Sequence, residues 1–107
     1  MQEAERADHL FGALSNETRR DIVRRTLSDE HSVSELARGY PSSFAAVQKH
    51  VAVLERAGLV TKRAHGREQL VRADPGTLAE VRGLLDQLEA TWRDRLDRFE
   101  DILKRTD

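Results

Sequence analysis

The sequence predicts a mainly α fold with a small β-hairpin wing: a winged helix-turn-helix that ends in a long C-terminal dimerisation helix. Three patterns support this class: a short helix and an amphipathic helix at about 33–57, two short strands at about 60–73, and a heptad repeat at about 75–104. A chain of 107 residues has the size of one domain, so we expect a single winged-helix domain over 1–107.

Two helices are predicted before the helix-turn-helix. The first covers residues 3–14, and the second begins after Ser15-Asn16, whose side chains can accept hydrogen bonds from the free amides of a helix start. The second helix runs to about residue 27, and its inward residues are predicted to be Ile22, Val23 and Leu27. Its arginines favour a solvated surface, with a phosphate contact by Arg19 or Arg20 as the alternative.

The helix-turn-helix begins with a capping box, in which the side chains of Ser32 and Glu35 each accept from the other's backbone amide. This box predicts a short helix that ends at Arg38. The chain then turns at Gly39-Tyr40-Pro41, because glycine tolerates the left-handed conformation and proline cannot extend the preceding helix.

The second helix of the motif is amphipathic. Its large apolar residues predict one buried stripe and are Phe44, Val47, Val51 and Leu54. The opposite face is short and lightly charged, as entry into a DNA major groove requires, and its residues are Ala45, Gln48, Lys49, Ala52 and Glu55. Ser42 or Ser43 is predicted to cap this helix. Gly58 is predicted to end it in a left-handed conformation, with Leu59 folding back on Leu54.

A basic β-hairpin follows directly. Residues 60–64 and 67–72 are the strand candidates, and His65-Gly66 between them is a two-residue loop whose glycine suits a tight hairpin turn. The basic residues of this hairpin include Lys62, Arg63 and Arg67. A basic hairpin directly after an amphipathic helix indicates a wing, and this combination is more specific than either part alone.

The last helix begins at Asp74-Pro75, a capping residue followed by proline at the first helical position. Its apolar residues follow a heptad repeat over a length that a small domain cannot cover, so we expect its outer part to pack on a second subunit. The predicted homodimer interface uses the first and last helices and consists of Leu10, Phe11, Leu78, Val81, Leu85, Leu88, Trp92, Leu96 and Phe99. For Trp92, the aromatic wall of an effector pocket is the alternative to interface packing.

The charges of the chain are unevenly distributed. Residues 42–72 contain six basic and two acidic residues, a net charge of +4, whereas the rest of the chain carries twelve basic and seventeen acidic residues, or −5. A basic patch on an acidic body is typical of a DNA-binding protein whose other parts face solvent or a partner.

Composition excludes several function classes. The chain has no cysteine, which rules out disulfides and thiolate metal sites. No apolar run reaches the length of a membrane span, so we expect a cytoplasmic protein with no membrane partner. We also expect no enzyme, since the sequence contains neither a clustered set of histidines and carboxylates nor a phosphate-binding glycine loop.

With these elements the chain resembles the ArsR/SmtB-type family of bacterial winged-helix transcriptional repressors. The matching motifs are residues 13–23 (ALSNETRRDIV), 34–37 (SELA), 46–60 (AVQKHVAVLERAGLV) and the Gly66-Arg67 wing. The resemblance implies a homodimer that binds double-stranded DNA at an operator of approximate twofold symmetry and represses transcription. By position it implies the DNA-binding residues Ser42, Ser43, Ala45, Ala46, Gln48, Lys49, His50, Lys62, Arg63, His65 and Arg67.

The chain departs from the metal-sensing members of this family. Where they carry a cysteine pair on the short helix, this chain has Ser32 and Ser34, and no histidine lies beyond His65 to form the zinc set of the last helix. The resemblance is therefore closer to the metal-independent branch, and we expect no metal site and no cofactor. The sequence does not indicate whether a small-molecule effector exists.

Different roles are expected within the DNA-binding set. Gln48 is expected to contact bases, because a side-chain amide can pair with N6 and N7 of adenine. Lys49, Arg63 and Arg67 are expected to contact phosphates. For His50, a hydrogen bond that orients the helix, or a phosphate contact, is preferred over a base contact. The alternative function is a protein-interaction module on the same scaffold without DNA binding.

Overall fold

The structure is a computed structural model that describes residues 2–105, and it confirms the predicted fold class. The helices are α1 (Glu3–Ala13), α2 (Glu17–Ser28), α3 (Val33–Arg38), α4 (Phe44–Arg56) and α5 (Pro75–Arg105), and the strands are β1 (His31–Ser32), β2 (Val60–His65) and β3 (Glu68–Ala73). Helices α3 and α4 form the helix-turn-helix, and β2 and β3 form the wing.

The core lies between α1, α2, α3, α4 and the base of the wing. Its fully buried large side chains include Leu10, Ile22, Leu36, Leu54 and Leu59. Val47, Val51 and Leu54 of α4 are buried in it, as the predicted stripe requires. The core therefore fixes which face of α4 remains available to solvent.

Two residues predicted to lie in the core are exposed instead. Phe44 is 47% exposed, because it is the first residue of α4 and lies one turn before Val47, where the core begins. Leu27 is 46% exposed, since Thr26 takes the inward position in the last turn of α2. The Thr26 hydroxyl donates to the carbonyl oxygen of Ile22 at 2.7 Å, which satisfies its polar group within the core.

Side chains close the helix starts where the sequence predicted them. Asn16 accepts from the amide of Arg19 at 3.1 Å, Ser32 and Glu35 form the capping box, and Ser43 accepts from the amide of Ala46 at 3.1 Å. Each such cap satisfies a backbone donor that has no partner within its own helix.

Helix α4 ends in the predicted Schellman motif. Gly58 has φ +78°, and its amide donates to the carbonyl oxygen of Glu55 at 2.9 Å. The amide of Leu59 donates to the carbonyl oxygen of Leu54 at 2.9 Å. The prediction for Gly39 was wrong, because this residue has φ −83°. A Cβ atom at this position would lie 2.6 Å from Nη1 of Arg25, so a larger residue would require the Arg25 side chain to move.

Arg25 also stacks on the aromatic residue of the turn between α3 and α4. Its guanidinium lies 5.4 Å from the ring centroid of Tyr40, and the Tyr40 hydroxyl donates to Asp21 at 2.6 Å. These contacts attach the turn of the helix-turn-helix to α2.

The sheet has three strands in the order β1-β3-β2, with antiparallel pairing throughout. In the wing, His65 pairs with Glu68, so the loop residues are Gly66 and Arg67, and Gly66 has φ +62°. The predicted loop was therefore shifted by one residue, and glycine is its first position. Strand β1 was not predicted, because two residues carry no alternating pattern.

Helix α5 extends well beyond the rest of the chain. At 31 residues it is about 46 Å long, and the described chain measures 71 × 30 × 22 Å. Thr77 and Val81 near its start are buried, whereas residues 85–105 are all exposed. No helix in the described part of the chain is both long and apolar enough to span a membrane.

The predicted interface residues divide into three groups. Leu10 and Val81 are buried in the core of their own chain and have almost no surface left for a partner. Phe11 and Leu78 are partly buried against the same core. The exposed members lie along the outer part of α5 and are Leu85, Leu88, Trp92, Leu96 and Phe99.

Candidate nucleic-acid interface

The solvent-facing side of α4 carries the residues predicted to bind DNA. Gln48 and Lys49 are exposed, as is Ala45, while Ala46 is half-buried. Ser42 and Ser43 precede the helix and are exposed, and the Ser43 hydroxyl accepts the capping hydrogen bond from Ala46. The small residues around Gln48 leave room for a close approach to a flat surface such as a base edge.

His50 lies at the edge of this face and is tied to α2. Nη1 of Arg19 donates to Nδ1 of His50 at 3.2 Å, and the same guanidinium donates to the carbonyl oxygens of Ala13 at 2.7 Å and Gly12 at 3.1 Å. Burial, together with the charge of Arg19, lowers the pKa of His50. A neutral ring that accepts at Nδ1 carries its proton on Nε2.

Arg19 therefore joins α1, α2 and α4 through one guanidinium. This contact favours the interpretation of His50 as a residue that orients α4, and it leaves Nε2–H as the group available for a further hydrogen bond. The alternative role of Arg19 at a phosphate is disfavoured, because three of its five N–H donors already have protein acceptors that fix the side chain.

A second arginine binds the other end of α4. Nη1 of Arg6 donates to the carbonyl oxygen of Ala57 at 2.8 Å, and its Nε and Nη2 donate to Glu80 at 2.9 and 3.1 Å. The hydrogen bond to Glu80 raises the pKa of Arg6, and the same bond lowers the pKa of Glu80. Arg6 thus connects α1, the end of α4 and the start of α5.

The sequence analysis did not find this contact, because Arg6 and Glu80 are 74 residues apart. No local pattern marks such a pair.

The basic residues of the wing are not equivalent. Arg63 donates to both carboxylate oxygens of Glu30, at 2.8 and 3.1 Å, and this hydrogen bonding lowers the pKa of Glu30. Lys62 lies 3.4 Å from Glu55. Arg67, in the loop at the wing tip, and His65 beside it form no ion pair with the residues that the structure describes. Of Lys62, Arg63 and Arg67, Arg67 is therefore the cation most available to DNA.

A groove of about 210 Å³ separates α4 from the wing. Gln48 and Phe44 line it from α4, and Ser34 lines it from α3. The wing contributes Lys62, Arg67 and the carboxylate Glu68. The structure therefore brings Gln48, the predicted base contact, and Arg67, one of the three predicted phosphate contacts, to one groove, which Lys49 and Arg63 do not line.

Within residues 2–105, no group of three or more His, Asp or Glu side chains is placed to hold a metal ion. The four histidines lie on α1, at β1, on α4 and at the end of β2, and each has its own surroundings.

Comparisons with known proteins agree with this architecture. A family model described as a helix-turn-helix domain matches residues 14–63. The HTH-type transcriptional regulator Rv2034 of Mycobacterium tuberculosis (strain ATCC 25618 / H37Rv) is 41% identical over 80 residues, which are 75% of this chain and 75% of that protein. The structure of an ArsR-like transcriptional regulator from Rhodococcus sp. RHA1 matches with a TM-score of 0.81 and 33% identity, over 92% of this chain and 93% of that one.

A more distant structure shares the same fold. It is a homodimeric winged helix-turn-helix DNA-binding domain from Mycobacterium bovis, a possible ArsR-family regulator, with a TM-score of 0.67 and 21% identity over 82% of this chain and 81% of that one. The match to the M. tuberculosis protein and the match to the Rhodococcus structure both exceed 30% identity over most of each chain. The chain therefore belongs to the ArsR family of winged helix-turn-helix transcriptional regulators.

Proposed function

We propose that this regulator is a homodimeric repressor that binds a pseudo-palindromic operator in the cytoplasm and needs no metal. The observation that supports this most directly is the surface shared by α4 and the wing, where exposed Gln48 and Arg67 line one groove. Two such surfaces in one dimer would enter successive major grooves about 34 Å apart.

The outer part of α5 supports the dimer. Its apolar side chains are about half exposed in the single chain, with Leu88 at 65%, Trp92 at 57% and Phe99 at 58%. A lone helix in water gains little from propensity, and most helices depend on packing of their apolar face. A second copy of α5 would cover this stripe. The M. bovis domain of the same fold is itself described as homodimeric.

The side chains in the interface take different roles under this proposal. Gln48 contacts an adenine through its amide, which can both accept from N6 and donate to N7. Lys49 and Arg67 contact phosphates and set the register. Lys62 and Arg63 contribute less, because Glu55 and Glu30 already neutralise them. The remaining residues contact the DNA backbone around these positions and exclude water from the interface; they are Ser42, Ala45, Ala46 and His65.

Genome-wide mapping of bound sites gives an operator on which these roles can be tested. We expect Arg67→Ala to weaken binding equally on operator and random DNA, and to reduce the slope of log affinity against log salt by about 0.9 for each of the two subunits. We expect Gln48→Ala to reduce the ratio of operator to random affinity by about tenfold per half-site, the effect of losing one bidentate base contact in each subunit. Fluorescence anisotropy over a range of salt concentrations measures both.

The role of Gln48 is contradicted if Gln48→Ala keeps the same ratio of operator to random affinity as the unchanged protein. The repressor assignment is tested separately with a reporter gene behind the mapped operator. Reporter output should fall when the protein is present, and a rise would identify an activator.

A further inference from the structure

Phe44 is a large aromatic residue that the fold leaves exposed. Its side chain is 47% accessible although the heptad-like spacing of α4 predicted it in the core. It is the first residue of α4, directly after the capping residue Ser43. Since the core begins one turn later at Val47, Phe44 contributes little to the packing of its own chain.

Phe44 shares a face with the proposed base contact. Residues four apart on a helix lie one above the other, so Phe44 and Gln48 are neighbours along α4. Both line the groove between α4 and the wing, and Lys62 and Arg67 line its other side. The exposed ring therefore lines the same groove as Arg67, a cation that suits a phosphate backbone, and it lies at the end of the helix where recognition helices contact base edges.

We propose that Phe44 contacts the C5-methyl group of a thymine next to the base pair contacted by Gln48. This inference rests on the proposed DNA-binding function. In the major groove, the methyl group of thymine is the apolar group that base edges present, and the other edges present hydrogen-bond donors and acceptors. A phenyl ring can pack on the methyl group but can satisfy none of those donors or acceptors, so it favours thymine over cytosine at that position.

Together, Phe44 and Gln48 predict part of the operator. Each half-site should contain a thymine and an adjacent base pair that presents adenine to Gln48. Because the two residues are one helical turn apart, the two contacts should fall on neighbouring base pairs.

Deoxyuridine provides a direct test, since it differs from thymidine only in lacking the C5-methyl group. Each thymine of the mapped operator is replaced in turn, symmetrically in both half-sites, and affinity is measured by fluorescence anisotropy. With the unchanged protein, we expect one thymine whose replacement lowers affinity about fourfold per half-site, the effect of one buried methyl group. With Phe44→Ala, replacement at that thymine should have no effect.

Two further variants separate this role from a general loss of binding. Phe44→Leu keeps an apolar side chain and should keep part of the sensitivity to the methyl group. Lys49→Ala should weaken binding on every duplex and leave the pattern of deoxyuridine effects unchanged. Circular dichroism of Phe44→Ala should show an unchanged helical spectrum, as its exposure implies.

The possible outcomes are distinguishable. If the unchanged protein binds no mapped fragment more tightly than random DNA, the proposed function fails and this inference fails with it. If the protein binds its operator but deoxyuridine has the same effect on the unchanged protein and on Phe44→Ala at every thymine, the inference about Phe44 is overturned and the proposed function stands.

Discussion

At the scale of single residues, the wing shows that a basic side chain in the sequence is not always a cation available to DNA. Arg63 is held by Glu30 through two hydrogen bonds, whereas Arg67 forms no ion pair with the described residues. The charge of Arg63 is thus already offset by a carboxylate, and two of its three nitrogens donate to Glu30. We therefore interpret Arg63 as a residue that fixes the wing against the segment between α2 and β1.

Glu30→Gln tests this interpretation. The change removes the negative charge and frees Arg63 for a phosphate, so DNA affinity should rise severalfold and the salt slope should become steeper by about 0.9 for each of the two subunits. Anisotropy titrations at several salt concentrations measure both quantities.

Asp29→Asn is the matched control, because it removes a negative charge from the neighbouring position without releasing an arginine, and an amide oxygen can still accept from the amide of Glu30. It should raise affinity less and leave the number of phosphate contacts unchanged. Equal salt slopes for Glu30→Gln and the unchanged protein would contradict the interpretation that Glu30 keeps Arg63 from contacting a phosphate.

His50 gives a pH-dependent prediction. Burial and Arg19 lower its pKa from the ordinary value of 6.5, and only the neutral ring can accept from Arg19 at Nδ1. The unfolded chain therefore takes up a proton at a higher pH than the folded chain. The stability due to this contact should be present above pH 6.5 and should be lost as the pH falls toward the lowered folded value.

The measurement compares the melting temperature (Tm) of the unchanged protein with that of His50→Asn between about pH 7.5 and 5.5. The difference in Tm between the unchanged protein and His50→Asn should decrease as the pH falls. His65→Asn is the control, since the ring of His65 makes no hydrogen bond with the described residues. A difference in Tm from His50→Asn that increases as the pH falls would contradict the Arg19–His50 contact.

The residue scale also shows what the sequence can predict. Caps at Asn16, Ser32 and Ser43 were predicted correctly, because each depends on an amide three residues away. The contacts of Arg6 and Arg63 join residues 74 and 33 positions apart, and they depend on how the elements pack. Charge counts could not separate Arg63 from Arg67 for the same reason.

At the scale of elements, the position of α4 depends on how it ends. Gly58 adopts φ +78° to complete the Schellman motif, and the carbonyl oxygen of Ala57 accepts from Arg6. The segment then passes directly into β2, so this turn sets the angle between α4 and the wing. The groove that contains Gln48 and Arg67 is shaped by the same turn.

Gly58→Ala should destabilise the protein by about 1–2 kcal/mol, because a left-handed conformation is strained for any residue with a Cβ atom. Urea denaturation at one fixed protein concentration measures the free energy of unfolding.

Gly83→Ala is the matched control, since Gly83 lies within α5 and its added Cβ would meet nothing within 4 Å. It should stabilise the protein by about 1 kcal/mol through helix propensity. A stabilising effect of both substitutions would contradict a requirement for glycine at position 58.

Predictions for elements succeeded where a pattern spanned several turns. The heptad repeat of α5 and the stripe of α4 gave their helices correctly, since each turn repeats the signal. They failed at the ends, as at Phe44, where periodicity continues although the core does not. The two-residue strand β1 was missed because it exists only through its pairing with β3.

At the scale of the whole molecule, the described chain is a small domain with a long, largely uncovered helix. The apolar stripe along α5 has no partner within residues 2–105 from Leu85 to Phe99, and the chain extends 71 Å along its longest axis. This shape is explained if the outer part of α5 packs on a second copy. Arg6 joins α1 and α5 to the end of α4, and Arg19 joins α1 to His50 of α4. Through these contacts, a dimer formed along α5 would also position both α4 helices.

Leu88→Glu tests the dimer without disturbing the single chain, because Leu88 is 65% exposed. The carboxylate should reduce dimerisation at least about a hundredfold, since a charge would otherwise be buried unpaired at the interface. Sedimentation should then give a mass near 12.2 kDa, with operator affinity strongly reduced.

Gln87→Glu adds the same charge on α5 outside the heptad positions and serves as the control. It should leave both mass and affinity nearly unchanged. A dimer that persists in Leu88→Glu would place the interface elsewhere.

The central claim is that two copies of the chain bind one operator through paired α4 helices. The most direct measurement is the stoichiometry of the complex with a duplex that carries one mapped site, determined by sedimentation equilibrium. We expect two chains per duplex over the whole range of protein concentration in which binding occurs. A complex that contains one chain of 12.2 kDa per duplex at saturating protein would contradict the account.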